Sequence, residues 1–128
     1  MIITDARVLI AFLDSTDALH EQARNLMRDI AGQERGTSTV TIAEVLVGPT
    51  RSGRLADAED VLRALRLREI TLPIDAPFRL ANLRASSQLK LPDCCVLVAA
   101  QDSHADAIAT FDDRLRRVAE AHGFTTLP

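Results

Sequence analysis

The spacing of apolar and polar residues changes several times along the chain, and each change marks a new element. Ile2-Ile3-Thr4 is apolar and too short for a helix, so it reads as a strand. Val8 to Leu13 stays apolar and opens a helix. From Thr16 to Ala31, Leu19, Ala23, Leu26 and Ile30 recur in steps of four, three and four, one face of a helix that Gly32 and Gly36 bracket. Gly36-Thr37-Ser38-Thr39-Val40 is β-prone, and Thr41 to Val47 predicts a helix stopped by Gly48-Pro49, with Gly53 opening a second breaker-rich turn. Leu55, Ala58, Leu62 and Leu65 form the next helical stripe. Glu69 to Leu72 is a candidate strand ended by Pro73, and Asp75 to Lys90 a helix broken by Leu91-Pro92. Asp93 to Ser103 is almost wholly apolar, so periodicity does not separate helix from strand there. Its length, and Pro92 at a plausible first helical position, favour helix. Ala107-Ile108-Ala109-Thr110 predicts a strand, Leu115, Val118, Ala119 and His122 a last helical face capped by Gly123, and Phe124-Thr125-Thr126 a last strand.

Strands alternating with helices imply an α/β fold. The expectation is a three-layer α/β/α sandwich around a parallel sheet of four to five strands. With 128 residues and no repeat or linker, the chain reads as one domain, residues 1–128. Hydrophobic residues make up 47% and charged residues 26%, which argues against disorder. The formal charge of -3 excludes a protein that coats nucleic acid through bulk positive charge. Four Phe and no Tyr or Trp leave little for stacking single-stranded bases. No run is long and apolar enough to span a membrane, and the N-terminus lacks a basic signal-peptide region. The adjacent Cys94 and Cys95 sit in an apolar run without zinc-type spacing, read as core residues of a cytoplasmic protein.

In parallel α/β folds ligands sit at the carboxyl ends of the strands, and several acids fall there. Asp5 follows the first strand, Asp112 follows the fourth, Asp93 starts the apolar helix, and Glu44 lies in the helix after the second strand. Crowded carboxylates repel one another, and a hard divalent cation such as Mg²⁺ or Mn²⁺ removes that penalty. Each acid also has a purely structural reading. Asp5 and Asp112 suit helix caps, Thr41-Ile42-Ala43-Glu44 matches a capping box, and Asp93 complements a helix dipole.

Four stretches in this order resemble the PIN-domain family, and within it the VapC-type toxins of toxin–antitoxin pairs. They are Ile3-Thr4-Asp5-Ala6-Arg7-Val8-Leu9-Ile10-Ala11, Thr41-Ile42-Ala43-Glu44-Val45-Leu46-Val47-Gly48, Leu91-Pro92-Asp93-Cys94 and Ala109-Thr110-Phe111-Asp112. The resemblance implies a Mg²⁺-dependent endoribonuclease, with Mn²⁺ able to substitute, a cognate antitoxin and a homodimer. It implies Asp5, Glu44, Asp93 and Asp112 as catalytic and metal-binding residues, Asp113 as a weaker candidate, and Thr110 as their support. Where the family often carries a small hydroxyl residue, this chain has Arg7. Arg7 either neutralises the acids, grips a substrate phosphate, or takes space meant for metal and water. The last option keeps a rival open: a PIN-fold module that binds RNA or a partner without cleaving.

The remaining charges are less specific. Arg51, Arg54, Arg63, Arg66 and Arg68 read as a solvated helix face, with an RNA track as the functional alternative. Arg114, Arg116 and Arg117 lie just beyond Asp112, and Arg114 is the candidate for substrate contact. His20, His104 and His122 share no spacing with the acids and read as surface or packing residues.

Overall fold

The computed structural model describes residues 1–128. Its elements run β1 (Ile2–Thr4), α1 (Ala6–Leu13), α2 (His20–Asp29), β2 (Arg35–Ser38), α3 (Thr39–Arg51), α4 (Leu55–Ala64), β3 (Arg68–Ile70), α5 (Ala76–Ser86), α6 (Leu91–Asp102), β4 (Ala107–Ala109), α7 (Asp113–Ala121) and β5 (Thr125–Leu127). The five strands form one sheet in the order β3-β2-β1-β4-β5, and every pairing is parallel. The α/β expectation holds, with five strands.

Strand β1 sits at the centre and divides the core. Successive strand residues face opposite ways, so Ile2 and Ile3 serve different layers. Ile2 packs with Val8, Leu9, Leu26, Met27, Ile30 and Val45 from α1 to α3. Ile3 packs with Ile108 and with residues of α5, α6 and α7, among them Leu83, Leu97 and Leu115. Helix α6 is buried from Cys94 to Ala100 without a break. A helix enclosed on all sides needs no polar face, which is why its sequence shows no helical period. No helix is long and apolar enough to cross a membrane.

Three helices depart most from the sequence expectation, each for a local reason. Helix α2 starts at His20, because Asp14 and Asp17 hold the preceding segment in turns. The Asp14 carboxylate accepts from Thr16 N at 2.9 Å, and that of Asp17 from Leu19 N at 2.8 Å. Such side-chain acceptors compete with helix formation. Helix α5 ends at Ser86, four residues before the expected Lys90, with Ser87 in extended backbone. Helix α3 begins at Thr39 and runs through Gly48-Pro49 to Arg51. Pro49 lies in the last turn, where little of the helix remains to be disrupted. The true stop is Gly53, in the left-handed region at φ +70. Arg54 N donates to the Pro49 carbonyl at 2.8 Å and Gly53 N to that of Thr50 at 3.3 Å, the paired bonds of a Schellman cap.

This assignment predicts opposite effects for two neighbouring substitutions. Gly53→Ala forces a Cβ into the left-handed region and lowers stability by about 1–2 kcal/mol. Pro49→Ala supplies a missing helical N–H and leaves the thermal midpoint unchanged or higher. Thermal unfolding followed by circular dichroism checks both, and the reverse ranking would sink the assignment.

Candidate active site

The chain leaves β1 toward β2 and β3, then crosses back to β4 on the other side of β1. The segments after β1 and β4 therefore diverge and leave a crevice at the carboxyl edge of the sheet. A cleft of about 580 Å³ opens there, lined by Asp5, Glu44, Asp93 and Asp112 together, with Asp113, Arg7 and Arg114 also on its walls. The structure thus brings together every acid singled out in the sequence. His20 instead contacts the Ala11 carbonyl through Nδ1 at 2.8 Å, and none of the three histidines lines the cleft. Of the basic stretch from 51 to 68, no residue lines it either.

Asp5 is the most deeply set of the acids, only 3% exposed. It caps α1, with Oδ1 accepting from Val8 N at 2.9 Å. Its Oδ2 accepts from the hydroxyl of the buried Thr110. That same hydroxyl oxygen accepts from Asp112 N at 2.9 Å. One Thr side chain therefore ties the end of β1 to the turn after β4. Burial pushes the Asp5 carboxyl up to about 6, with Asp93 and Asp112 adding to the rise and the bonds from Thr110 and Val8 opposing it.

Asp112 caps α7, its Oδ1 accepting from Arg114 N at 2.7 Å and Leu115 N at 3.0 Å. Capping and a place in the cleft are thus compatible for Asp5 and Asp112. Asp93 stands in the first turn of α6, half-buried, and Glu44 lies midway along α3. The capping-box reading of Glu44 fails, because the cap of α3 is Ser38, whose hydroxyl accepts from Thr41 N at 3.0 Å. That leaves the Glu44 carboxylate without a structural task. Burial raises the carboxyls of both Asp93 and Glu44; the neighbouring acids Asp112 and Asp93, respectively, add to this, and Lys90 partly offsets it.

Lys90, the residue before α6, is a cleft residue that sequence reasoning passed over. Its one signal was position, three residues before Asp93. No ion pair of the protein includes Asp5, Glu44, Asp93 or Asp112. Arg7 does not neutralise them: its Nη1 and Nη2 donate to the two oxygens of Asp17 at 2.6 and 3.1 Å. The acids line a common space, yet no three are drawn together into a closed set of metal ligands.

The sequence profile of the PIN domain matches residues 2–121. No protein of curated function matches the chain in sequence. Among solved structures, the sarcin–ricin-loop-cleaving toxin VapC20 of Mycobacterium tuberculosis superposes with a TM-score of 0.78 at 16% identity, over 98% of this chain and 97% of that one. A toxin–antitoxin complex from Klebsiella pneumoniae gives 0.71 at 24% identity, over 91% and 90% of the two chains. VapBC2 of Rickettsia felis, bound to a DNA fragment from its promoter, gives 0.71 at 15% identity, over 99% and 98%.

The displaced Asp5 carboxyl makes stability depend on pH. Between its ordinary 3.8 and about 6 the folded chain keeps a proton that the unfolded chain has released. Its contribution is therefore fully present below about pH 4 and fades as pH rises through 6. Asp5→Asn removes that loss. In chelator-treated protein, the variant's stability relative to the native chain should rise between about pH 4 and pH 7 by on the order of 2–3 kcal/mol. Urea unfolding across that range checks it; a difference that does not change with pH overturns it.

Proposed function

The chain belongs to the PIN-domain family, and from that premise we propose that it is a divalent-metal-dependent endoribonuclease, the toxin of a toxin–antitoxin pair. The observation that carries the reading is the meeting of Asp5, Glu44, Asp93 and Asp112 in one cleft at the switch between β1 and β4, with no cation of the protein paired to them. Asp5 is buried and held by two hydrogen bonds from fixed groups. A carboxylate in that position is costly unless positive charge meets it. The donor set is all carboxylate oxygen, which suits Mg²⁺ and Mn²⁺ rather than softer metals.

On this reading Asp5 and Asp93 hold the ion, and Glu44 and Asp112 complete its surroundings directly or through water. A bound Mg²⁺ or Mn²⁺ would supply Lewis acidity that activates a water and offsets charge developing on the phosphodiester. The chain's own part is to place that chemistry. Thr110 fixes which way Asp5 faces. Arg7 and Arg114, on the cleft wall, meet the phosphate backbone with planar, charge-assisted donors. No side chain is needed as a nucleophile, and the two thiols are poorly suited to the task. Cys94 and Cys95 are buried, which pushes both thiols up from their ordinary value.

The toxin assignment draws on the structural relatives, two of which are toxin–antitoxin complexes. It carries with it a cognate antitoxin, RNA as substrate and a homodimer. The rival reading, a PIN-fold module that binds without cleaving, rested on Arg7 filling the metal's place. The pairing of Arg7 with Asp17 weighs against it.

Purified protein with Mg²⁺ or Mn²⁺ should cleave RNA, and an Asp5→Asn, Asp93→Asn double variant should fall to background. Equal cleavage by the two would end the nuclease reading. Thr110→Val keeps the shape of the side chain and removes the hydroxyl, and should cost about 10–100-fold in activity or metal affinity. Rescue by Thr110→Ser would separate loss of the hydroxyl from loss of packing.

A further inference from the structure

Arg7 occupies the second position of α1, two residues beyond the capping Asp5, and both line the cleft. An unrestrained guanidinium there would meet the nearest uncompensated carboxylate. The bond to Asp17 raises the Arg7 guanidinium above its ordinary value, and Asp5 adds a smaller attraction. Arg7 makes its bonds to Asp17, in the segment between α1 and α2, through both terminal nitrogens at 2.6 and 3.1 Å. The Asp17 side chain is only 12% exposed, against 42% for Arg7. Asp17 is itself anchored, since its Oδ1 also accepts from Leu19 N at 2.8 Å. The planar fork meets its carboxylate in the two-bond geometry that most restricts an Arg side chain.

We propose that Asp17 is a positioning residue that holds Arg7 aside from the acid cluster, so that the carboxylates stay free for a divalent cation while a fixed positive group stands at the cleft wall. The inference rests on the proposed metal-dependent reading of the cluster and adds the device that reconciles Arg7 with it. Without Asp17 the guanidinium turns to Asp5 and its neighbours and competes with the ion. Two charges a few ångströms apart at a partly exposed site interact strongly enough to change ion affinity about tenfold.

The test titrates Mn²⁺ alone into the full chain by isothermal titration calorimetry, with RNA cleavage measured alongside. Asp17→Asn keeps the acceptor for Leu19 N but loses the charge that holds Arg7. It should bind Mn²⁺ about tenfold more weakly. The Arg7→Ala, Asp17→Asn double variant should recover native Mn²⁺ affinity, because the competing cation is gone. Cleavage by Asp17→Asn should return when Mn²⁺ is raised. Circular dichroism melts confirm that each variant is folded. Native Mn²⁺ affinity in Asp17→Asn overturns the inference while leaving the metal reading intact. Weakened binding that the double variant does not restore also overturns it, since the loss would then come from the loop and not from Arg7. Failure of the unaltered chain to bind Mn²⁺ overturns both the inference and the reading beneath it.

Discussion

The pairing of β1 with β4 is the constraint from which the cleft follows. Its register sets Ile2 opposite Ala107, Ile3 opposite Ile108 and Thr4 opposite Ala109. The next residues on the two strands are then Asp5 and Thr110. The ladder extends one step further, as Asp5 N donates to the Ala109 carbonyl at 3.1 Å. That step fixes the Asp5 backbone, and the Thr110 hydroxyl fixes its side chain. A slip of β4 by one residue would send Thr110 to the opposite face and move Ile108 out of the layer it shares with Ile3, into the one that holds Ala107 and Ala109. Packing of the core and geometry of the site are thus set by one register.

The same arrangement carries an energetic conflict. A carboxylate almost out of water and near two others is unfavourable, and the fold answers with local hydrogen bonds rather than with a buried cation. The α1 amide and the Thr110 hydroxyl lower the cost without cancelling it, which is why Asp5 stays displaced upward. Removing the charge would help the fold and harm the chemistry proposed for it. Such opposition between stability and function is expected where ligands are held ready in advance. The caps share this economy: Asp5 and Asp112 each spend one oxygen on a helix start.

What was legible in the sequence follows from how local its cause is. Three-residue strands such as Ile2-Ile3-Thr4 were readable because an apolar run too short for a helix stood next to a helical period. The acids were readable because strand ends are the places where such folds present chemistry. Pro49 misled because its cost depends on how much helix follows it, which Gly53 decides several residues later. Asp17 and Lys90 were out of reach for another reason. Asp17 matters through a contact ten residues back along the chain, and Lys90 through its distance in space to Asp93 and Glu44. Neither contact has a periodic signature. The capping-box pattern at Thr41 to Glu44 was a true match to a motif the chain does not use, since Ser38 caps the helix first and places Thr41 inside it.

The overall charge of -3 remains a poor guide to what the cleft would attract. Its walls carry five acids, Asp5, Glu44, Asp93, Asp112 and Asp113, against four bases, Arg7, Lys90, Arg114 and Arg117. Charge there is nearly balanced, and the one fully buried member is an acid, Asp5. Asp5 is buried and Asp93 half-buried, at the end of a strand and the start of a helix, where the backbone holds them. Lys90, Arg114 and Arg117 are exposed at the rim on long side chains. A polyanion approaching this surface would meet these exposed bases beside the exposed Glu44 and Asp113, with Asp5 set beneath them. Proteins that coat nucleic acid need a positive field over their whole surface. The proposed task of holding one phosphodiester asks only for both signs within the width of one cleft, and the junction of β1 and β4 brings both there.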